Sequence, residues 1–154
     1  MIRPAKYIDN LRLTALIMDM HEESSYAERA TVDTQRFKKM CITAISQHGN
    51  RSCLFVAQKD GMVEGFIMGC VDRIYGISKE YYATDLFFYV SDKANPKDAM
   101  GLLKNFMDWA ENADNVIEIR LGISGVIGGW ERLQKVYERF GLIQDGVMMK
   151  KEIT

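Results

Sequence analysis

A chain of 154 residues has room for one substantial core, and its balance of 47% hydrophobic to 27% charged residues excludes a disordered or fibrous protein. A net charge of −1 supplies no global field to attract nucleic acid or an anionic membrane, so neither is expected as a partner. No apolar run approaches the roughly 20 residues that span a bilayer, and Met1-Ile2-Arg3-Pro4-Ala5-Lys6 lacks the core of a secretory signal; we expect one cytoplasmic domain over 1–154.

Residues 1–8 read as a short extended segment, with Pro4 suiting an edge position. Asp9 is a cap residue for a helix carrying Leu11, Ala15, Ile17, Met18 and His21 as its apolar set. The polar run over 22–29 reads as a loop. Asp33 caps a second helix in which Phe37, Met40, Cys41, Ala44 and Ile45 recur at three and four residues, until Gly49-Asn50 stops it. Cys53-Leu54-Phe55-Val56-Ala57 is a buried strand, Lys59-Asp60-Gly61 a hairpin turn, and 63–71 the next strand, ragged over 72–78. Tyr81–Val90 is the longest β-rich run, and the three strands form an antiparallel meander.

A loop over 91–97 leads into a helix with Pro96 in its first turn and Met100, Leu103, Phe106, Met107 and Ala110 on one face. A strand, Val116-Ile117-Glu118-Ile119-Arg120-Leu121, follows. After a glycine-rich stretch over 123–129, a last helix runs over 130–140, and a final pair of short strands turns at Asp145-Gly146. The order is β-α-α-β-β-β-α-β-α-β. The strand-helix-strand crossover over 81–121 predicts a mixed, mostly antiparallel sheet with helices on both faces, an α+β fold. Cys41, Cys53 and Cys70 sit in apolar periodic segments and read as reduced, buried thiols. His21 and His48 lack a second ligand at metal spacing, so no metal is expected.

Three stretches carry a family resemblance. Ile2-Arg3-Pro4-Ala5 with Asp9 resembles an opening strand. Leu86-Phe87-Phe88-Tyr89-Val90, a loop, and a helix with Leu102-Leu103 and Asp108-Trp109-Ala110 resemble a coenzyme-binding strand-loop-helix. Tyr137-Glu138-Arg139-Phe140-Gly141-Leu142 is similar to a tyrosine-glutamate-basic-x-glycine-phenylalanine signature. With the element order, these resemble the GNAT superfamily of acetyl-CoA-dependent N-acetyltransferases over nearly the whole chain, and small acetyltransferase-like proteins encoded by bacteriophages. One loop departs from the family: where arginine or glutamine and then glycines are usual, Ala94-Asn95-Pro96-Lys97-Asp98-Ala99 keeps only the last small residue. The asparagine often found near the start of the last helix is also missing, with Gly129-Trp130 there.

The resemblance implies direct transfer of an acetyl group from acetyl-CoA, the cosubstrate, to a primary amine in a ternary complex. A helix tip with unpaired amides favours phosphate, so Lys97, Asp98, Ala99 and Met100 would meet the diphosphate, with Asn95 in the loop and Lys93 and Lys97 adding charge. Asp98 has the wrong sign if it points inward. Phe88, Tyr89 and Val90 would pair their main chain with the pantetheine arm as with an added strand. Tyr137 is implied as the acid for the departing sulfur, protonated at neutral pH by a reference pKa of about 10. It also continues the apolar series Leu133, Val136, Phe140, as a packed tyrosine would.

The attacking amine needs a base. Glu22 and Asp85 are the candidates, with Glu23, Tyr26 and Tyr82 for the acceptor pocket, whose acidic sign suits a cationic acceptor. The alternative, motivated by the altered loop, is a non-catalytic virion, scaffold or partner-binding protein on the same fold. Exposed strands at the two termini leave room for a homodimer. Ser124 with Gly122, Gly125, Gly128 and Gly129 reads as a mobile connection beside the adenosine end, or as a lid.

Overall fold

A computed structural model describes residues 1–123 and 129–153; the expectation resting on Ser124, Gly125 and Gly128 lies outside the described residues. Two compact units result, Met1–Gly122 and Ile123–Thr154. The first holds a five-stranded sheet of β1 (Ile2–Pro4), β2 (Ser52–Lys59), β3 (Met62–Arg73), β4 (Tyr81–Val90) and β5 (Val116–Arg120), in chain order. All neighbours are antiparallel except β4 and β5. That pair is parallel because the connection between them is a crossover helix rather than a hairpin. The helices are α1 (Asn10–Glu23), α2 (Thr34–Ser46) and α3 (Asp98–Glu111), with α4 (Trp130–Arg139) in the second unit. This is the mixed, mostly antiparallel architecture expected.

Strand residues alternate between the two faces of the sheet. On one face Leu54, Val56, Phe66 and Met68 form a core with Leu13, Leu16 and Ile17 of α1 and Phe37, Cys41 and Ala44 of α2. On the other, Phe106 of α3 lies over Gly69 and close to Cys53, and a Cβ added to Gly69 would meet the ring at 2.5 Å. Glycine here lets the helix approach the sheet.

Three local expectations need correction. Among α1 residues Leu13, Leu16 and Ile17 are buried while Leu11 is 77% exposed. Apolar residues surround this helix, so periodicity alone could not choose its inner face. Asp9 sits at the cap position of α1 but makes no side-chain cap bond. Its carboxylate instead accepts from both terminal guanidinium nitrogens of Arg3, at 2.8 and 2.9 Å, and from the Lys6 amide at 2.7 Å. Burial would raise the Asp9 pKa, but these donors hold it below the usual carboxylate range. The final strand pair does not form: residues 142–153 carry no strand among the described residues, and Ile143, Val147, Met148 and Met149 are exposed. A lone hairpin that buries no apolar face is marginal in water.

Other signals read correctly. Asp33 caps α2, accepting from the Arg36 amide at 2.9 Å. Helix α4 closes on Gly141, whose φ is 84°. The Gly141 amide donates to the Glu138 carbonyl at 3.0 Å and the Leu142 amide to that of Tyr137 at 3.3 Å, the two bonds of a glycine-terminated helix. No described helix is long and apolar enough to cross a membrane.

Candidate functional site

The sheet opens at one residue. β3 and β4 pair Met68 with Phe87 and then Gly69 with Asp85, so Leu86 is an extra residue bulging from β4. On its other side β4 pairs with β5 through Tyr81, Tyr82, Ala83 and Thr84; from Asp85 onward it has no β5 partner among the described residues. The Ser91 amide donates to the Glu64 carbonyl of β3 at 2.8 Å. Main-chain groups alternate sides along a strand, so those of Phe88 and Val90 turn away from β3 toward the open edge, and those of Tyr89 toward β3.

Beyond β4 the chain turns into α3. Ser91 takes the Lys93 amide on its hydroxyl at 3.3 Å and the Ala94 amide on its carbonyl at 3.2 Å. Asp98 and Asn95 cap each other. The buried Asp98 carboxylate accepts the Asn95 amide at 3.0 Å, and the Asn95 carbonyl accepts the Asp98 amide at 2.9 Å. This reciprocal turn delays the helix, which begins at Asp98 rather than at Pro96. The amides of Lys97, Ala99 and Met100 have no hydrogen-bond partner among the described residues. Lys93 and Lys97 are exposed beside them, and Lys59 reaches the Lys93 carbonyl at 2.9 Å. The tip therefore combines free donors, a helix dipole and three lysines, opposed by the Asp98 carboxylate at the tip and by Asp92 and Glu64 nearby.

The candidate acid–base residues fall into different settings. The carboxylate of Asp85, half-buried beside the parting of β4 and β5, accepts a long 3.4 Å bond from the Gly122 amide. Burial pushes its carboxyl above the usual range, outweighing that bond. Glu22 is exposed. Glu23 and Tyr89 are brought together: the Tyr89 hydroxyl donates to the Glu23 carboxylate at 2.6 Å, tying the end of α1 to β4. Burial first, and then that carboxylate, push the Tyr89 phenol well above its ordinary range. Tyr26 is 39% exposed, with the Arg29 guanidinium 5.9 Å from its ring centre. Arg120 lies over the ring of Tyr82 at 4.2 Å. In the second unit Tyr137 is 4% exposed on the last turn of α4. The cysteines offer no nucleophile: burial pushes the Cys41 thiol up to about 12 and raises Cys53 and Cys70 as well.

A cleft of about 550 Å³ lies between α2 and the sheet, lined among others by Arg36, Lys39, Met40, Arg51, Met68 and Leu86. Arg36, Lys39 and Met40 follow helix spacing, so α2 turns two cations toward one opening. In sequence Lys39 belongs to a basic pair with Lys38, which reads as a solvated surface; only the packing of α2 on β3 brings Arg51 alongside.

No protein-family model and no curated protein matches the sequence. Solved structures match it in shape. AAC(6')-Iy, in complex with the bisubstrate analogue CoA-S-monomethyl-acetylneamine, matches at a TM-score of 0.70 and 15% identity over 100% of this chain and 98% of its own. Ribosomal-protein-alanine N-acetyltransferase from Brucella melitensis biovar Abortus 2308 matches at 0.67 and 18% identity over 99% of both chains. A transcriptional regulator from Bacillus halodurans C-125 matches at 0.70 and 14% identity, again over 99% of both. The chain carries the fold of the GNAT acetyltransferases.

Proposed function

We propose that the chain acts as one functional domain that binds acetyl-CoA along the open edge of β4 and the tip of α3, and transfers its acetyl group to a primary amine. One observation carries this reading. Among the described residues, β4 parts from β5 after Thr84, leaving the main chain of Phe88 and Val90 unpaired on the strand that leads to a helix tip with three free amides. An amide-bearing chain suits such an edge as an added strand, and a diphosphate suits such a tip. Acetyl-CoA has both parts in one molecule, and one neighbour of this fold holds a coenzyme A conjugate.

When bound, the thioester supplies an acyl carbon open to an amine and a sulfur that leaves. The residues of this chain supply protons and position. Asp85 takes the proton the amine must lose; its burial makes it a better acceptor near neutral pH than an ordinary aspartate. Glu22 is the second candidate for that role. Tyr137 returns a proton to the sulfur, an assignment that rests on its place in Tyr137-Glu138-Arg139-Phe140-Gly141-Leu142. Tyr26, Tyr82 and Glu23, which Tyr89 holds in place, are the acceptor-side candidates that the resemblance offers.

Calorimetric titration and thermal melting with acetyl-CoA test the reading. Ligand at 100 times its Kd stabilises the folded state by about 2.7 kcal/mol, a readily measured rise in Tm. Tyr137→Phe should then lower kcat while leaving the Kd for acetyl-CoA nearly unchanged. Absence of both heat and thermal shift at saturating acetyl-CoA refutes the proposal. A second reading, a non-catalytic partner-binding protein, draws support from the burial of Tyr137 and from the Asp98 carboxylate on the Asn95 amide. The same titration separates the two.

A further inference from the structure

We infer that the cleft between α2 and the sheet is the acceptor pocket, and that its acceptor is an amine carrying an anionic group, carboxylate or phosphate, at the end remote from the nitrogen. The location rests on the acetyl-transfer reading. Leu86, which lines the cleft, is the bulge residue next to Asp85, and the unpaired edge of β4 starts at the same point. An acceptor in the cleft would therefore reach β4 at the bulge where its edge opens, although Asp85 itself does not line the cleft.

The sign of the ligand rests on the lining itself. Arg36, Lys39 and Arg51 line the cleft, and no aspartate or glutamate does among the described residues. None of the three makes an ion pair among the described residues; Arg51 instead stacks on Tyr81 at 4.9 Å. Three cations without an ion-pair partner among the described residues surround one opening, and although Asp72 and Asp85 act on Cys70 from outside the lining, the lining itself is positive and attracts an anion over a second ammonium. Met40, Met68 and Leu86 supply apolar wall for a short aliphatic or aromatic spacer. The sign is opposite to the one that Glu22 and Glu23 suggest from sequence. Those two residues lie at the end of α1 and do not line the cleft.

Amines matched in length separate the cases: 5-aminopentanoate, 5-aminopentyl phosphate, pentylamine and 1,5-diaminopentane. Their kcat/KM values with saturating acetyl-CoA are compared in the parent and in the double variant Arg36→Glu, Lys39→Glu. Both changed residues are exposed on α2, and the variant's melting curve checks that it folds. At least one anionic amine should exceed pentylamine by about tenfold and the diamine by more, with the preference shrinking as salt rises. The double variant should reverse that order, and the leading anionic amine tells carboxylate from phosphate. Equal treatment of all four amines, preference for the diamine, turnover of none, or an unchanged ranking in the double variant would overturn the inference. Ligand-observed NMR with the same amines in the absence of coenzyme reads the cleft directly. If acetyl-CoA does not bind, the acetyl-transfer reading fails, while that NMR ranking still tests the sign of the pocket.

Discussion

Replacing Gly69 by alanine tests how closely α3 must approach the sheet. A Cβ built there lies 2.5 Å and 2.9 Å from two ring atoms of Phe106 and 3.1 Å from the Cys53 sulfur. Carbon atoms prefer about 3.5–4.0 Å, so the ring must retreat by ~1 Å. It has little freedom to do so, because Phe106, Leu102 and Leu103 are wholly buried. Overpacking of a tight core costs about 1–3 kcal/mol, and the entropy lost by the unfolded chain when glycine becomes alanine returns about 0.4–1 kcal/mol. The expected net loss is about 1–2 kcal/mol, or a fall in Tm of roughly 2–8 °C for a chain of this size. Gly101→Ala is the control. Its Cβ would meet only the Ile2 side chain, at 2.9 Å, and alanine gains about 1 kcal/mol of helix propensity in α3. Thermal and urea melts of both variants decide the matter. A Gly69→Ala protein as stable as the parent would refute the account of how α3 is seated.

Asp85→Asn should lower kcat/KM by about 10²–10⁴-fold if Asp85 is the base, and remove the acid limb of the pH–rate profile. Because burial raises its folded pKa, ionised Asp85 opposes folding: its favourable contribution is complete below the unfolded value and lost as pH rises through the folded one. The asparagine variant should therefore gain stability over the parent at neutral pH and lose that advantage in acid, which denaturation at several pH values would measure. Glu64 has the reverse sign. Burial would raise its pKa, but the Ser91 hydroxyl at 2.7 Å and Arg12 at 2.8 Å lower it, so its contribution is present above the unfolded value and fades as pH falls through the folded one. Glu64→Gln should lose about 1–2 kcal/mol near neutrality, modest because Arg12 is 29% exposed, and the gap should close in acid. Asp98→Asn keeps an acceptor for the Asn95 amide and removes the charge at the α3 tip; a fall of roughly three- to tenfold in the Kd for acetyl-CoA is expected, and an unchanged Kd would put the diphosphate elsewhere.

What the sequence made legible follows from which forces are local. α2 was readable because its apolar residues repeat on one side, and Phe37, Cys41 and Ala44 are indeed buried. α1 was not, since Leu11, Leu13, Ala15, Leu16, Ile17, Met18 and Met20 surround it and only tertiary packing selects Leu13, Leu16 and Ile17. Asp145-Gly146 gives a sound turn signal, yet pairing also needs a sheet to join, and 142–153 forms no strand. The bulge at Leu86 left no mark, because no glycine or proline interrupts 81–90 and the mismatch exists only against β3. Nor did the cleft cations stand out: Arg36 and Lys39 lie twelve or more residues from Arg51 and meet it only after α2 docks. By contrast, the helix tip after β4 is legible in the sequence, although the mutual cap of Asn95 and Asp98 moves its start by two residues.

A gap between strands and the start of a helix recognise by peptide atoms, which every residue type possesses. Such a surface constrains where the backbone runs and asks little of the letters along it. Mutation can then rewrite most of the text without touching the contour, as the 14% and 18% identities at TM-scores of 0.70 and 0.67 illustrate. Specificity for whatever enters beside that gap must accordingly reside in the few side chains that border it, and those are the positions where two proteins of this shape will differ most in their chemistry.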